Sequence, residues 1–67
     1  MAKIQLNGKR FTVKPKLTIY ELLKKFKLNN KKVAIELNGV IIQKTNFKKK
    51  YLNDNDKLEV VHFIGGG

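Results

Sequence analysis

Two short segments of alternating polar and apolar residues flank Asn7-Gly8 near the start of the sequence. An Asn-Gly pair in this setting favours a two-residue type I′ turn, because both central residues of that turn adopt positive φ. The pattern therefore predicts a β-hairpin with strands over 3–7 and 10–14. Pro15 follows and ends the second strand, since proline has no backbone N–H to donate.

The next segment carries the signals of a helix start. Thr18 and Glu21 have the N-cap and N3 spacing of a capping box, in which each side chain accepts a hydrogen bond from the other residue's backbone. Apolar residues then recur with the period of a helix, at Ile19, Leu22, Leu23 and Phe26. We predict a helix over 18–28 with one apolar stripe that covers one face of a sheet.

A second hairpin and a last strand are predicted after the helix. Apolar segments at 33–37 and 40–42 flank another Asn-Gly pair, and the alternation at 57–63 predicts the final strand. The stretch 45–50 between them is polar and basic around Phe47, and we expect one loose helical turn or a loop there.

Tyr51 and Leu52 follow this loop, and we expect their side chains to pack into the core from the side. The following Asp54 and Asp56 alternate like calcium ligands, but the glycine and glutamate that an EF-hand loop requires are not at their positions. We therefore interpret this segment as a turn.

The order ββαβββ predicts an α+β fold in which one main helix packs on a mixed sheet. A right-handed crossover leads from the first hairpin through the helix to the second. The last strand is expected in the middle of the sheet, between the two hairpins and parallel to the first strand. This is the ubiquitin-like β-grasp arrangement. We expect the domain to span 1–63 and a flexible glycine tail to span 64–67.

The amino-acid composition excludes most kinds of catalytic site. The 67 residues include no Cys, no Ser and one His, so a thiolate nucleophile, a cysteine-based metal site and a Ser-His-Asp triad are all excluded. His62 is interpreted as a strand-end histidine at the edge of the core or at an interface. We expect no enzyme activity and no bound metal. With neither a signal peptide nor a long apolar run in the sequence, the expected location is cytoplasmic and away from the membrane.

The formal net charge of +10 first favours a nucleic-acid partner. However, fourteen of the fifteen cations are Lys and only Arg10 is Arg, whereas phosphate and base recognition favours the bidentate guanidinium. The richness in Lys, Asn and Ile is also typical of an AT-rich genome. We interpret the charge as a solvated lysine surface, in which Lys44 to Lys50 steer an acidic partner, and keep a polyanion-binding face as the alternative.

Three glycines, Gly65, Gly66 and Gly67, follow the apolar last strand. They contribute nothing to folding, but a backbone without Cβ atoms can enter a cleft that excludes other residues. From Ile64 onward such a tail reaches at most about 13 Å, with the carboxylate of Gly67 leading. A frayed terminus or a linker is the alternative interpretation.

Four segments together resemble the ThiS family of sulfur carriers. They are the helix start at 18–23, the strand and turn at 34–39, the turn at 54–59 and the tail at 60–67. The heavy lysine content and Asn55, where the family often has glycine, depart from the family pattern, but neither touches the tail. The terminal glycines alone are also shared with MoaD, the small subunit of molybdopterin synthase, and with ubiquitin.

The resemblance implies a carrier that binds no cofactor and is a monomer when free. A ThiF-like adenylyltransferase would use MgATP to adenylate the carboxylate of Gly67. Sulfur from the persulfide of a cysteine desulfurase would then replace AMP and leave a thiocarboxylate. A ThiG-like thiazole synthase would draw the sulfur from it, in the formation of the thiazole of thiamine.

Strand alternation predicts the surface that meets these partners. Leu58 and Val60 should face the helix with His62 in phase, while Val61 and Phe63 face outward. We expect Val61, Phe63 and Ile64 to dock the partners and Gly65 and Gly66 to thread the partner's active site. A MoaD-like carrier for another pathway, a ubiquitin-like tag and a small basic nucleic-acid-binding module remain the alternatives.

Overall fold

The computed structural model describes residues 1–28 and 32–62. Two hairpins flank the helix and precede the last strand in the chain. The elements are β1 Ala2–Leu6, β2 Lys9–Val13, α1 Ile19–Lys25, β3 Val33–Leu37, β4 Val40–Ile42, a 3-10 turn at Lys44–Asn46, and β5 Lys57–His62. The order confirms the predicted ββαβββ succession.

The sheet has the strand order β2-β1-β5-β3-β4. β5 lies in the centre, parallel to β1 through the pairs Gln5–Lys57 and Leu6–Leu58, and antiparallel to β3 along its length. Each hairpin is antiparallel and forms one side of the sheet. The predicted β-grasp topology, with the last strand between the hairpins, is therefore confirmed.

Both hairpins turn on the predicted Asn-Gly pairs. φ is 48° at Asn7 and 84° at Gly8, and 51° at Asn38 and 84° at Gly39, as a type I′ turn requires. Because Asn7 belongs to the turn, β1 ends at Leu6, and both strands of the first hairpin lie one residue earlier than predicted.

The capping box begins α1 as predicted. The Glu21 backbone N–H donates to the Thr18 hydroxyl at 3.1 Å, and the Thr18 backbone N–H donates to the Glu21 carboxylate at 3.0 Å. The hydrogen bonds from the Thr18 backbone and hydroxyl lower the pKa of Glu21, because they stabilise the ionised carboxylate. The helix start is thus determined by local side-chain chemistry.

The helix ends earlier than predicted, at Lys25 instead of residue 28. Lys27 adopts the left-handed conformation with φ of 58°, and the backbone N–H groups of Lys27 and Leu28 donate to the carbonyls of Lys24 and Leu23. These two bonds form a Schellman motif, which satisfies carbonyls of the last turn. The prediction was wrong here because a lysine, not a glycine, occupies the position that reverses the chain.

The core lies between α1 and the inner face of the sheet. It joins the apolar helix stripe to alternate residues of the strands, and its largest fully buried side chains are Phe47, Ile19, Leu22, Leu23, Ile35, Leu52 and Leu58. Phe26 is half-buried at the margin, where its ring packs edge-on against Phe11 with centroids 5.0 Å apart. The helix stripe predicted from the sequence is therefore the face that the sheet covers.

The segment after β4 contributes more to the core than its sequence indicated. Phe47 is 1% exposed, and its carbonyl accepts a hydrogen bond from the Tyr20 backbone N–H at 3.0 Å. Leu52 is buried as predicted, but the prediction for Tyr51 was wrong, since its side chain is 53% exposed. Tyr51 forms an isolated bridge with Thr18, so the chain runs along the helix start while the ring points away from the core.

Candidate functional site

The predicted reactive end lies beyond β5, so the residues that hold β5 define the described part of the site. Near the end of the strand, the side chain of Asn7 binds the backbone of Val60 twice. The Val60 N–H donates to the Asn7 side-chain oxygen at 2.8 Å, and the Asn7 amide donates back to the Val60 carbonyl at 3.3 Å. The turn of the first hairpin therefore fixes β5 two residues before it ends at His62.

The turn of the second hairpin holds the start of the same strand. The Lys57 backbone N–H donates to the side-chain oxygen of Asn38 at 2.9 Å, and the Asn38 amide donates to the carboxylate of Asp56 at 2.9 Å. The Asn53 backbone N–H donates to the other carboxylate oxygen of Asp56 at 2.7 Å. This network closes the turn before β5.

The sequence pattern did not indicate that the side chains of Asn7 and Asn38 bind the backbone of β5. The Asn-Gly pattern predicts the turn, and glycine or aspartate can occupy the same position. The partners lie 53 residues away for Asn7 and 19 residues away for Asn38, counted to Val60 and Lys57. The signal that could have found them is the recurrence of Asn, and not Asp or Gly, at both turns that flank the central strand.

The side chains of Val61 and His62, which follow Val60, face the solvent. Leu58 and Val60 are buried and Val61 is 59% exposed, in agreement with the predicted alternation. His62 was expected to follow Val60 toward the core, but it is exposed at the end of the strand. In the alternation of β5, His62 falls on the side that faces the core, but no part of residues 1–28 and 32–62 covers its side chain.

The other predicted site residues lie outside the described residues. They are the docking residues Phe63 and Ile64, the threading residues Gly65 and Gly66, and the residue to be modified, Gly67. Of the predicted set, the structure therefore locates Val61, which is exposed on the face of the sheet opposite to α1.

A basic surface lies on the side of the molecule where α1 meets the segment after β4. Lys48, Lys49 and Lys50 are exposed, and the ammonium groups of Lys48 and Lys24 lie 4.7 Å and 5.6 Å from the centroid of the Tyr20 ring. Cation–π attraction keeps two cations on one aromatic ring here. This surface is the one predicted to steer an acidic partner. No helix among residues 1–28 and 32–62 is long and apolar enough to span a membrane.

Fold and site together define a ubiquitin-like β-grasp protein whose central strand leads to a glycine tail. The family model described as the ThiS family matches residues 4–67, which includes that tail. The chain belongs to the ThiS family, as the resemblance in its sequence predicted.

Individual relatives agree with this membership. The "Sulfur carrier protein ThiS" of Bacillus subtilis (strain 168) is 45% identical over 65 residues, which cover 96% of this chain and 98% of that protein. A "Thiazole synthase" of Paramagnetospirillum magneticum (strain ATCC 700264 / AMB-1) is 38% identical over 65 residues, covering 97% of this chain but 20% of that longer protein. The crystal structure of the thiamine biosynthesis protein ThiS from Geobacter metallireducens superposes with a TM-score of 0.83 at 34% identity, covering 97% of this chain and 99% of that one.

Proposed function

We propose that this protein is a sulfur carrier of thiamine biosynthesis and carries sulfur on the main-chain carboxylate of Gly67. The observation that supports this most strongly is the family match through residue 67, together with a full-length relative named as a sulfur carrier. The fold supports the role, because the side chains of both hairpin turns bind the central strand, which precedes the glycines in the sequence.

The chemistry begins with activation of the carboxylate. A free α-carboxylate is ionised at neutral pH and is a poor electrophile. A ThiF-like adenylyltransferase joins it to the α-phosphate of ATP, held as its magnesium complex, and releases pyrophosphate. The resulting acyl adenylate has AMP as a good leaving group, so a sulfur nucleophile can attack its carbonyl carbon.

Sulfur then enters from a persulfide, which a cysteine desulfurase provides. The terminal sulfur of the persulfide displaces AMP and forms an acyl disulfide. A second thiol of the donor attacks that disulfide, so two thiols are oxidised to one disulfide and the carrier keeps a thiocarboxylate. The carrier itself holds no cofactor and supplies no catalytic group, because its partners perform each step.

The thiocarboxylate then delivers its sulfur to a ThiG-like thiazole synthase. Support for this partner comes from the Paramagnetospirillum thiazole synthase, one fifth of which resembles this chain. A carrier and its synthase joined in one polypeptide would meet at high effective concentration. In the present protein the same encounter requires a docking surface, and Val61, Phe63 and Ile64 lead directly to the reactive end.

Intact-mass spectrometry tests this proposal. The chain is incubated with the ThiF-like adenylyltransferase of its own organism, MgATP, a cysteine desulfurase and cysteine. We expect a mass gain that equals the exchange of one oxygen for one sulfur, and an adenylate when the sulfur source is omitted. The chain without Gly67 is the matched control, because the deletion leaves the described fold untouched, and it should show neither product. An unchanged mass of the intact chain under these conditions would contradict the proposal.

A further inference from the structure

The sheet has an open edge along β2. β2 is the outermost strand on its side of the sheet, and no element among residues 1–28 and 32–62 pairs with its outer edge. In an antiparallel pair, the residues of each strand alternate between those that bond the partner strand and those whose backbone N–H and C=O groups point away from it. An open edge of this kind is a template for one more strand.

The hairpin turn fixes which residues of β2 point toward the open edge. Leu6 and Lys9 flank the two-residue turn and therefore form a hydrogen-bonded pair. The backbone groups of Arg10 and Thr12, one and three residues further on, then point away from β1. In agreement with this phase, the N–H of Gln5, which lies opposite Arg10, donates away from β2 to the turn before β5 at 2.9 Å. Arg10 and Thr12 thus present two backbone donors and two acceptors at the edge.

A groove runs between this edge and α1. It contains a cavity of about 400 Å³, bordered by Phe11 and Phe26, and a cavity of about 550 Å³, bordered by Thr12 and Lys25. The two cavities follow each other, because both pairs of bordering residues are adjacent in the sequence. We call this groove the edge groove, and we define it by Phe11, Thr12, Lys14, Lys24, Lys25 and Phe26.

The two cavities of the edge groove differ in chemistry. At the smaller cavity, the half-buried rings of Phe11 and Phe26 pack edge-on and form an apolar wall. At the larger cavity, Lys14, Lys24 and Lys25 are exposed. A strand that lies in the groove would meet apolar surface along one part of its length and positive charge along the other. The groove therefore selects an extended segment with apolar residues at one end and acidic residues at the other.

Of the described residues that border the larger cavity, one is acidic. The carboxylate of Glu21 accepts hydrogen bonds from the Thr18 backbone N–H at 3.0 Å and from the Thr18 hydroxyl at 3.2 Å. These bonds, and then the nearby charges of Lys14 and Lys24, lower the pKa of Glu21. Glu21 is thus ionised at neutral pH, but the lysines outnumber it and this part of the groove stays positively charged.

We infer that the edge groove binds an extended, partly acidic peptide segment of another protein, which adds to β2 as a sixth strand. Its backbone pairs with Arg10 and Thr12, its apolar side chains cover the two phenylalanine rings, and its acidic side chains lie beside the lysines. β1 separates β2 from β5, so the bound segment leaves the end of β5 uncovered. The inference goes beyond the proposed function, since no sulfur transfer is required for this binding.

A peptide fits the groove better than the two other kinds of occupant. A second copy of this chain would pair β2 with β2 and bring Lys9, Arg10 and Lys14 of both copies together, where like charges repel. A nucleic acid would meet the lysines, but it has no row of peptide groups to match the backbone of Arg10 and Thr12. Lysines at an edge strand also serve to prevent aggregation, and the test below separates that role from binding.

The first test uses synthetic peptides and the full, isotope-labelled chain. One capped peptide has alternating isoleucine and threonine residues followed by aspartates, and a second has the same residues in the reverse order. In an NMR titration, we expect one of them to shift the amide signals of Arg10 and Thr12 and to slow their hydrogen exchange. The signals of Val61 and His62, at the end of β5, should stay unchanged.

N-methylation of the bound peptide tests strand pairing without any change in the protein. A strand offers only alternate amides to its neighbour, so methylation of one alternate set should weaken binding by about tenfold or more. Methylation of the other set is the matched control and should change the affinity by less than about threefold.

Two double variants test the charge of the groove. Lys14→Gln with Lys25→Gln should weaken peptide binding by about fivefold, with a smaller loss at high salt. Lys48→Gln with Lys49→Gln removes the same charge from exposed positions elsewhere, and it should change the affinity by less than about twofold.

Four results would overturn the inference. They are unshifted Arg10 and Thr12 signals with both peptides at about one millimolar, equal binding of the two N-methylated forms, equal losses in the two lysine double variants, and a single-stranded DNA that shifts the groove signals when neither peptide does. Broadening of the Arg10 and Thr12 signals that grows with the concentration of the chain alone would assign the edge to a second copy and overturn it as well. These titrations use the unmodified chain, so the proposed function stands or falls separately, by its own mass measurement.

Discussion

The two ends of β5 are both held by a hairpin asparagine, but they differ in what surrounds the hydrogen bonds. At the start, Asn38 binds Lys57 and the carboxylate of Asp56, which is 9% exposed and also accepts from the Asn53 backbone. At the far end, the side chain of Asn7 binds the backbone of Val60 while its backbone N–H donates to the Leu58 carbonyl at 2.9 Å, and the side chain after Val60, that of Val61, faces solvent.

This difference separates the end of β5 that is part of a closed network from the end that precedes the proposed reactive carboxylate in the sequence. The start of β5 is a closed network in which each polar group depends on the others, so disruption there affects the whole fold. At the far end β5 stays paired with β3 through Val61 and His62, but the side chains of these two residues are exposed, so they can be changed without loss of the core. In the proposed function the carboxylate of Gly67 reacts, so we expect changes at this end of β5 to alter sulfur transfer and leave the domain folded.

The largest effect is expected from Asp56→Ala. The substitution leaves the Asn38 amide and the Asn53 backbone N–H without their acceptor, and each unsatisfied donor in a partly buried site costs about 1–3 kcal/mol. We expect the free energy of unfolding, measured by urea denaturation, to fall by about 2–4 kcal/mol. Asp54→Ala is the control, since Asp54 is exposed and accepts one bond from the Lys3 backbone, and it should cost less than about 1 kcal/mol. Equal losses of unfolding free energy in the two variants would contradict the claim that the Asp56 network contributes more to stability than the Asp54 hydrogen bond.

The two turn asparagines are compared directly by Asn7→Gly and Asn38→Gly. Glycine accepts the positive φ of both positions, so the variants remove the side-chain hydrogen bonds without backbone strain. We expect a loss of about 1–2 kcal/mol for each, with Asn38→Gly the greater because it also leaves Asp56 with one donor fewer. Hydrogen exchange at the Val60 amide should accelerate selectively in Asn7→Gly. Uniform acceleration in both variants would mean that the two ends are not held independently.

A stabilising change outside β5 tests the same comparison. Lys27 has a positive φ in the Schellman motif, so Lys27→Gly should raise the free energy of unfolding by about 0.5–1 kcal/mol. The rate of sulfur transfer to thiazole synthase should stay unchanged, because the substitution does not touch the end of β5. A changed transfer rate would show that global stability, and not the open end of the strand, limits the reaction.

The smallest effect on stability is expected from Val61→Asp. The side chain is exposed, so the free energy of unfolding should shift by no more than about 0.5 kcal/mol. Transfer of sulfur to the synthase should nevertheless slow, since a charge replaces an apolar residue at a predicted docking position. A normal transfer rate in this variant would refute the docking role of Val61.

Local patterns predicted most of the fold. The Asn-Gly pairs, the capping box and the alternation in β5 each involve neighbours within a few residues, and the structure contains all three. The burial of Phe47 was not predicted, because its polar and basic neighbours show no periodicity that would indicate an inward side chain. The exposure of Tyr51 and His62 depends on which parts of the sheet the rest of the chain covers, which no local pattern contains.

In the candidate site, too, local patterns predict some features, and others depend on contacts between distant parts of the chain. The exposure of Val61 could be predicted from strand alternation, whereas the role of the glycines stays a prediction because they lie outside the described residues. The side-chain bonds of Asn7 and Asn38 to β5 could not, since they join residues that only the sheet topology brings together.

The most direct measurement is tandem mass spectrometry of the sulfur-loaded chain, with fragments that locate the added sulfur along the sequence. We predict that the whole mass difference lies on the last residue, Gly67, with the domain through Val61 unmodified. Sulfur on any other residue, or a loaded chain that survives removal of Gly67, would contradict the claim that the functional group is the main-chain carboxylate.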